Sequence, residues 1–492
     1  MIQDFEALSE KLEALLQTTL GTKHLINPYF RISKGTPEQT KKYFLLNSNI
    51  PRPALLIWNL LSIPLNIFRL SLILMLSLML FRQNSIFKQK IENTEVLFLS
   101  HGTKGNLLNR EKDTFFDLIP QNFQSQKNLS CTVLYTNQNL FRFRIDNKLL
   151  NHKNKELKHI LLPKFLRFTE HAKYVFTTSQ LALKVLLLSF RYYFEKPDLS
   201  RILICSIPWY LSRATYSNYS LLNRVREVQI KNNLAGIFLT FEGHSFEQLI
   251  IDGLNEDSQK TNIFFYQHSP IVSLHYGIRC FLIQLKSKIT VLTTGVFYTE
   301  YFQSLSKLPR YKVIGTNKSK LSASNRKIEM ANKIIYAPEG TNFATKDFVD
   351  LIKYIIKDSP EYSHFLRLHP DIKLNLRLKF KLNRLRKYNN FSISSNDLES
   401  DLTSAKYLVY RSSAVGIESL KYDLLPIFYA EAKFSRLNVL ISDTAAYCKA
   451  QNPSEVLIIL KSSQDLLSKD QRLDLFDSFF TRINYEILSD AI

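Results

Sequence analysis

From residue 95 onward, short apolar runs rich in β-branched and aromatic residues alternate with polar segments of helical length. The runs are EVLFLSH (95–101), CTVLYT (131–136), RILICS (201–206), GIFLTF (236–241), NIFFYQH (262–268), KITVLTT (288–294) and KVIGT (312–316). A strand that is apolar on both faces is one covered by helices on both sides, so this series predicts a parallel sheet in an α/β domain. A second series follows a polar stretch: KIIYAPEG (333–340), HFLRLHP (364–370), NFSIS (390–394), KYLVYRSS (406–413) and LPIFYA (425–430). The expected fold class is α/β, with two tandem Rossmann-like domains at 91–318 and 333–492 joined by a linker at 319–332. Ahead of them lie a helical extension at 1–50 and an apolar segment at 51–90.

Within that segment, residues 54–81 form the most apolar stretch of the chain, ALLIWNLLSIPLNIFRLSLILMLSLMLF. A bilayer span takes roughly 20 apolar residues, so length alone permits one. Pro64 and Arg69 interrupt it, however, and Arg52, Arg82, Lys88 and Lys90 flank it. An arginine at the centre of a bilayer costs about 2.5–3.5 kcal/mol on insertion scales. Three readings remain: an element lying in the cytoplasmic leaflet, a buried core helix pair, and a spanning helix. The first keeps Arg69 near headgroups and lets the basic flanks meet anionic lipid, so association without spanning is the expectation.

Composition adds a partner class. Apolar residues make up 45% of the 492 and charged residues 22%, which excludes wholesale disorder, and the length exceeds what one core serves. The formal charge of +22 calls for an anionic partner: nucleic acid, a phospholipid surface or a phosphorylated substrate. No nucleic-acid module is recognisable, and most aromatics sit in the apolar runs, so nucleic acid is the least supported of these. Cys131, Cys205, Cys280 and Cys448 are isolated and fit reduced structural thiols. The start, MIQDFEALSEKLEALL, lacks the basic-then-apolar pattern of a secretory signal. The expected location is therefore the cytoplasm, peripheral or monotopic at the membrane.

Candidate chemistry lies at the carboxyl ends of the runs, where open α/β sheets bind ligands. In the second domain, Arg367-Leu368-His369-Pro370 closes a strand; proline keeps His369 extended, facing a cleft where it can donate to a phosphate or a leaving oxygen. Arg367 is two residues back on the same strand face and can pair with a phosphate. Glu339 and Gly340 end another run, and Gly315 ends the last run of the first domain. Arg411-Ser412-Ser413 leads from a strand into a helix whose free N–H groups suit an anion, and Glu418 one turn on can accept from ribose hydroxyls.

In the first domain, Glu242-Gly243-His244-Ser245-Phe246-Glu247 follows GIFLTF. A carboxylate at a strand tip beside glycine can approach a substrate hydroxyl, which makes Glu242 the candidate general base, with His244 to orient the acceptor or substitute as base. His101, Gly243, Glu247 and His268 complete the acceptor side. The segment KLNLRLKFKLNRLRK (373–387) alternates like a strand yet sits where a helix is due, and both readings stay open.

Taken together, FEGHSFE, YQHSP, RLHP, RSSAVGIESLKYDLLPIFY and the run SHGTKGNLLNREKDTFFDLIP (100–120) resemble the GT-B glycosyltransferases of bacterial surface-carbohydrate synthesis over residues 91–470. The resemblance implies a cleft with a nucleotide-sugar held by the second domain and a glycan or lipid-linked acceptor presented by the first. The His-Pro and Ser-Ser elements are also similar to those of sialyltransferases and capsule Kdo transferases. That likeness implies a CMP-linked donor, with His369 at the leaving phosphate, Ser412 and Ser413 binding it, and Glu242 as base. Those enzymes carry two acids before glycine where this chain has Glu-Gly-His. With no Asp-x-Asp dyad at a strand end, neither a metal nor another cofactor is expected. A glycerophosphate or polyol-phosphate transferase with a CDP-linked donor is the alternative on the same fold; an inactive scaffold is a further one.

Overall fold

The computed structural model describes residues 11–12, 14–16, 18–20, 51–83, 93–101, 112–136, 157–162, 166, 168–255, 261–272, 276–284, 289–320, 332–370, 372–431, 437–441, 445–462 and 467–489. The linker reading at 319–332 falls largely outside these residues.

Two parallel sheets form the frame. The first contains β1 (Val96–His101), β2 (Cys131–Thr136), β3 (Lys158–Leu162), β4 (Gly236–Thr240), β5 (Asn262–Tyr266), β6 (Thr290–Thr293) and β7 (Arg310–Val313) in the order β3-β2-β1-β4-β5-β6-β7. The second contains β8 (Lys333–Ala337), β9 (Ser363–Leu366), β10 (Phe391–Ile393), β11 (Tyr407–Tyr410), β12 (Leu425–Tyr429) and β13 (Cys448–Ala450) in the order β10-β9-β8-β11-β12-β13. Every pairing in both is parallel. Each sheet grows outward in two directions from its first strand, so the connections reverse between β1 and β4 and again between β8 and β11. This is the doubly wound α/β arrangement expected of both domains, and crevices form where the order reverses.

The helices, in chain order, are α1 (Arg52–Gln83), α2 (Ile119–Lys127), α3 (Phe168–Arg191), α4 (Pro197–Tyr210), α5 (Arg213–Lys231), α6 (Ser245–Asn255), α7 (Tyr276–Gln284) and α8 (Val296–Leu305). The second domain adds α9 (Asn342–Ile355), α10 (Leu376–Leu385), α11 (Leu398–Thr403), α12 (Val415–Glu418), α13 (Pro453–Lys461), α14 (Lys469–Phe479) and α15 (Tyr485–Ser489).

The run RILICS, read as a strand, lies inside α4. Pro197 in the first turn and Asp198 near the positive helix end start a helix there, and continuous burial from Ile202 to Ile207 gives the run the uniform apolarity of a sheet strand. Residues 373–387 settle as α10, whose Asn375 cap accepts from the Leu378 N–H and whose Leu378, Leu382 and Leu385 are buried.

The apolar segment is one continuous 32-residue helix, α1, running through Pro64. It is one helix and not a pair; among its described side chains Ile57, Trp58, Leu61, Leu65 and Phe68 are exposed, while Leu56 and Ile63 pack against the core. Among the described residues no helix is long and apolar enough to cross a membrane.

One apolar cluster runs through both domains, from Leu239, Phe281 and Phe302 to Leu408, Tyr410 and Phe476. Helix α14 packs between the domains, and the chain beyond it returns to the first. The Thr294 hydroxyl donates to the Phe479 carbonyl at 3.0 Å, the Thr481 N–H to the Thr294 carbonyl at 2.8 Å, and the Asn484 N–H to the Ile314 carbonyl at 2.8 Å. Ile483, Tyr485 and Ile487 then pack beside Phe123 and Ile314. The sequence reading assigns this stretch to the second domain; residues 481–487 contact the first.

Candidate functional site

Strand order brings the tips of β1, β4 and β5 side by side, and with them His101, Glu242 and His268. The Glu242 carboxylate lies between two imidazoles, 2.8 Å from His244 Nε2 and 3.2 Å from His268 Nε2. Burial would raise its pKa, but the hydrogen bonds and charges of the two histidines prevail and hold the carboxyl well below the usual range. His268 Nδ1 is buried and has no hydrogen-bond partner among the described residues.

His101 closes the group. Its ring is 6.0 Å from that of His244, edge-on to Phe115 at 5.1 Å, with the Thr136 and Thr240 hydroxyls at 3.4 Å from its two nitrogens. Burial, with the neighbouring His244, lowers its pKa to about 4, so it is a neutral imidazole near pH 7.

The turn carrying Glu242 and His244 is held from beneath. The carboxylate of Glu247, in the first turn of α6, accepts from the N–H groups of Glu242, Gly243 and His244 at 2.8–3.0 Å. Burial pushes Glu247 up to about 8 against the pull of these amides. Gly243 has φ 74°, and a Cβ there would meet the α7 backbone, 2.3 Å from Ile278 N and 2.4 Å from the Gly277 carbonyl carbon. Gly243→Ala therefore has to move the turn or α7, and is expected to lower stability by about 1–3 kcal/mol in urea unfolding.

In the second domain, strand order sets the tips of β9, β8 and β11 together. His369 lies over Gly340, where a Cβ would come within 2.9 Å of the imidazole. The loop past Pro370 is tied to the first turn of α9: Asn342 Nδ2 donates to the Lys373 carbonyl at 3.0 Å. Ser412 sits at the tip of β11 with φ 49°, an uncommon conformation for a residue with a Cβ, and Ser413 and buried Glu418 follow around α12.

Both arginines are ion-paired within the protein. Arg367 donates to Asp401 Oδ2 and the Asn396 carbonyl, both at 2.8 Å. Arg411, with 2% of its side chain exposed, donates through Nε to Glu339 at 3.1–3.2 Å and through Nη1 to Asp347 at 3.1 Å. The charge that the sequence assigns to a phosphate is thus already opposed by carboxylates, and Glu339 is a partner of Arg411. Gly315 stands apart from this group, at the end of β7, against the backbone of Thr481 and Arg482.

Asp113 is a member of the first site that sequence reasoning does not pick out. It is buried, accepts from the Ser100 hydroxyl at 2.8 Å and from the Phe115 and Phe116 amides at 2.8 and 2.9 Å, and so fixes the Phe115 ring between His101 and His268. Its only trace in the sequence is an aspartate before two phenylalanines.

No protein-family model matches the chain, and no curated protein matches it. Among solved structures it is similar to the UDP-GlcNAc 2-epimerase from Neisseria meningitidis bound to UDP-GlcNAc, at 10% identity, 80% of this chain and 98% of that one, and TM-score 0.44. A glycosyltransferase from Rickettsia africae gives 11% identity, 81% and 97% coverage and TM-score 0.43. The wall teichoic acid polymerase TagF gives 14% identity, 87% and 97% coverage and TM-score 0.41.

Proposed function

We propose that the chain is a glycosyltransferase that moves a sugar from a nucleotide-sugar to a surface-polysaccharide or lipid-linked acceptor. The observation that supports this best is the His244–Glu242–His268 group beside neutral His101 at the first sheet's reversal point. Attack by a hydroxyl needs a base that takes its proton. A carboxylate held far below the usual range is a weak base, whereas an imidazole backed by a carboxylate is a suitable one. In this reading Glu242 orients and supports the imidazoles, and His268 accepts the proton at Nδ1 while its Nε2–H stays on Glu242. His244 steadies the other carboxylate oxygen and faces the acceptor.

The donor side follows from the second reversal point. In this reading the amides at the start of α9 after Gly340, the Ser412 and Ser413 hydroxyls, and His369 bind the diphosphate or monophosphate. The leaving phosphate takes its stabilisation from these neutral donors and His369, since Arg367 and Arg411 are engaged elsewhere. An anionic membrane surface, met by α1, is the proposed place of work.

Thermal melts with CMP, CDP, UDP and GDP test the donor side: one nucleotide is expected to raise the melting temperature by a few degrees. Silence with all four counts against a transferase. Product analysis with the matching nucleotide-sugar and with CDP-glycerol then separates sugar transfer from glycerophosphate transfer. His268→Ala is expected to lower turnover by about 10²–10⁴ with unchanged donor protection; full activity removes it from the mechanism.

A further inference from the structure

Helix α3 is apolar on two opposite faces. Its inner face, with Tyr174, Leu181, Val185 and Leu188, is buried in the helical layer formed with α4 and α5. Its outer face carries Phe176, Leu183, Leu187 and Phe190, exposed by 65%, 56%, 60% and 49%, and Phe194 in the following turn is 88% exposed. At about 100° per residue, the four helical side chains fall in one stripe about 60° wide. Lys173, Lys184 and Arg191, all exposed, lie together along one border of it. The acid of the first turn, Glu170, faces Arg224 at 3.6 Å.

A helix on a water-facing surface turns polar residues outward, so a second apolar face needs another apolar phase to meet. We propose that the outer face of α3 docks on an anionic lipid bilayer, with Phe176, Leu183, Leu187 and Phe190 among the acyl-chain ends and Lys173, Lys184 and Arg191 at the phosphates. The stripe is a convex ridge, which suits a deformable phase better than a preformed pocket. The basic border matches anionic headgroups, and in an antiparallel two-fold pairing with a second copy it would set like charges together. Helix α1 packs on the same α4, where Asn66 Nδ2 donates to the Pro208 carbonyl at 3.2 Å, so both apolar ridges belong to one helical layer. Docking by α3 does not depend on the transferase reading.

The test is flotation of the full chain with vesicles of phosphatidylcholine alone or with phosphatidylglycerol. Wild-type protein is expected to float with the anionic vesicles and to detach in high salt. Leu187→Ser with Phe190→Ser should reduce partitioning about tenfold or more at an unchanged circular dichroism spectrum, although α1 is intact. A Lys173, Lys184 and Arg191 to Gln triple variant should lose binding to anionic vesicles by about a hundredfold. Wild-type flotation by both variants overturns the proposal, as does a wild-type dimer that the serine variant converts to monomer without any vesicle binding. Turnover on a water-soluble acceptor should be unaffected in the variants, which keeps this test separate from that of the catalytic group.

Discussion

Turnover of a Glu242→Gln protein is expected to fall by about 10²–10⁴ while its melting temperature stays close to that of the wild type. Glutamine preserves the shape between His244 and His268 but presents an amide to one of them and removes the negative charge from both. The loss falls on the step that turns an imidazole into an imidazolium, since that charge then has no counter-ion beside it. Full turnover by the variant would remove the carboxylate from the mechanism.

Arg411→Ala is the substitution with the largest expected effect on stability, a loss of about 3–5 kcal/mol. It strips the counter-ion from buried Glu339 and half-buried Asp347, and both carboxyls are already raised by burial in the presence of the guanidinium. It also empties the space between Phe343 and Phe348, whose rings lie 5.7 and 5.8 Å from the guanidinium carbon. Urea unfolding of the unliganded protein reads the result. An arginine reserved for a phosphate would give the opposite pattern, with an unchanged melt and lost nucleotide protection.

What the sequence made legible was local. Eleven of the thirteen described strands overlap runs whose length and β-branched content mark them, while β3 and β13 are edge strands whose KHILL and CKA do not stand out. RILICS reads as a strand because a helix buried on all sides has no polar stripe to betray its period. His244 is two residues from Glu242, so that contact is visible along the chain. His268 reaches the same carboxylate only because β4 pairs with β5, which no local pattern states. Arg367 and Arg411 carry the charge a phosphate wants, and their carboxylate partners lie 34 and 72 positions away. Composition identifies a buried cation far more easily than it identifies the buried anion that answers it.

The returning C-terminal segment has a consequence for how the protein is made. Residues that add to the packing of the first domain, Ile483, Tyr485 and Ile487, leave the ribosome only after the strands and helices of the second domain. During synthesis the apolar surface around Phe123 and Ile314 is therefore complete in sequence but still uncovered. A chain that stops after Phe479 carries both sheets and every residue of both candidate sites, yet its older half is left without its final covering.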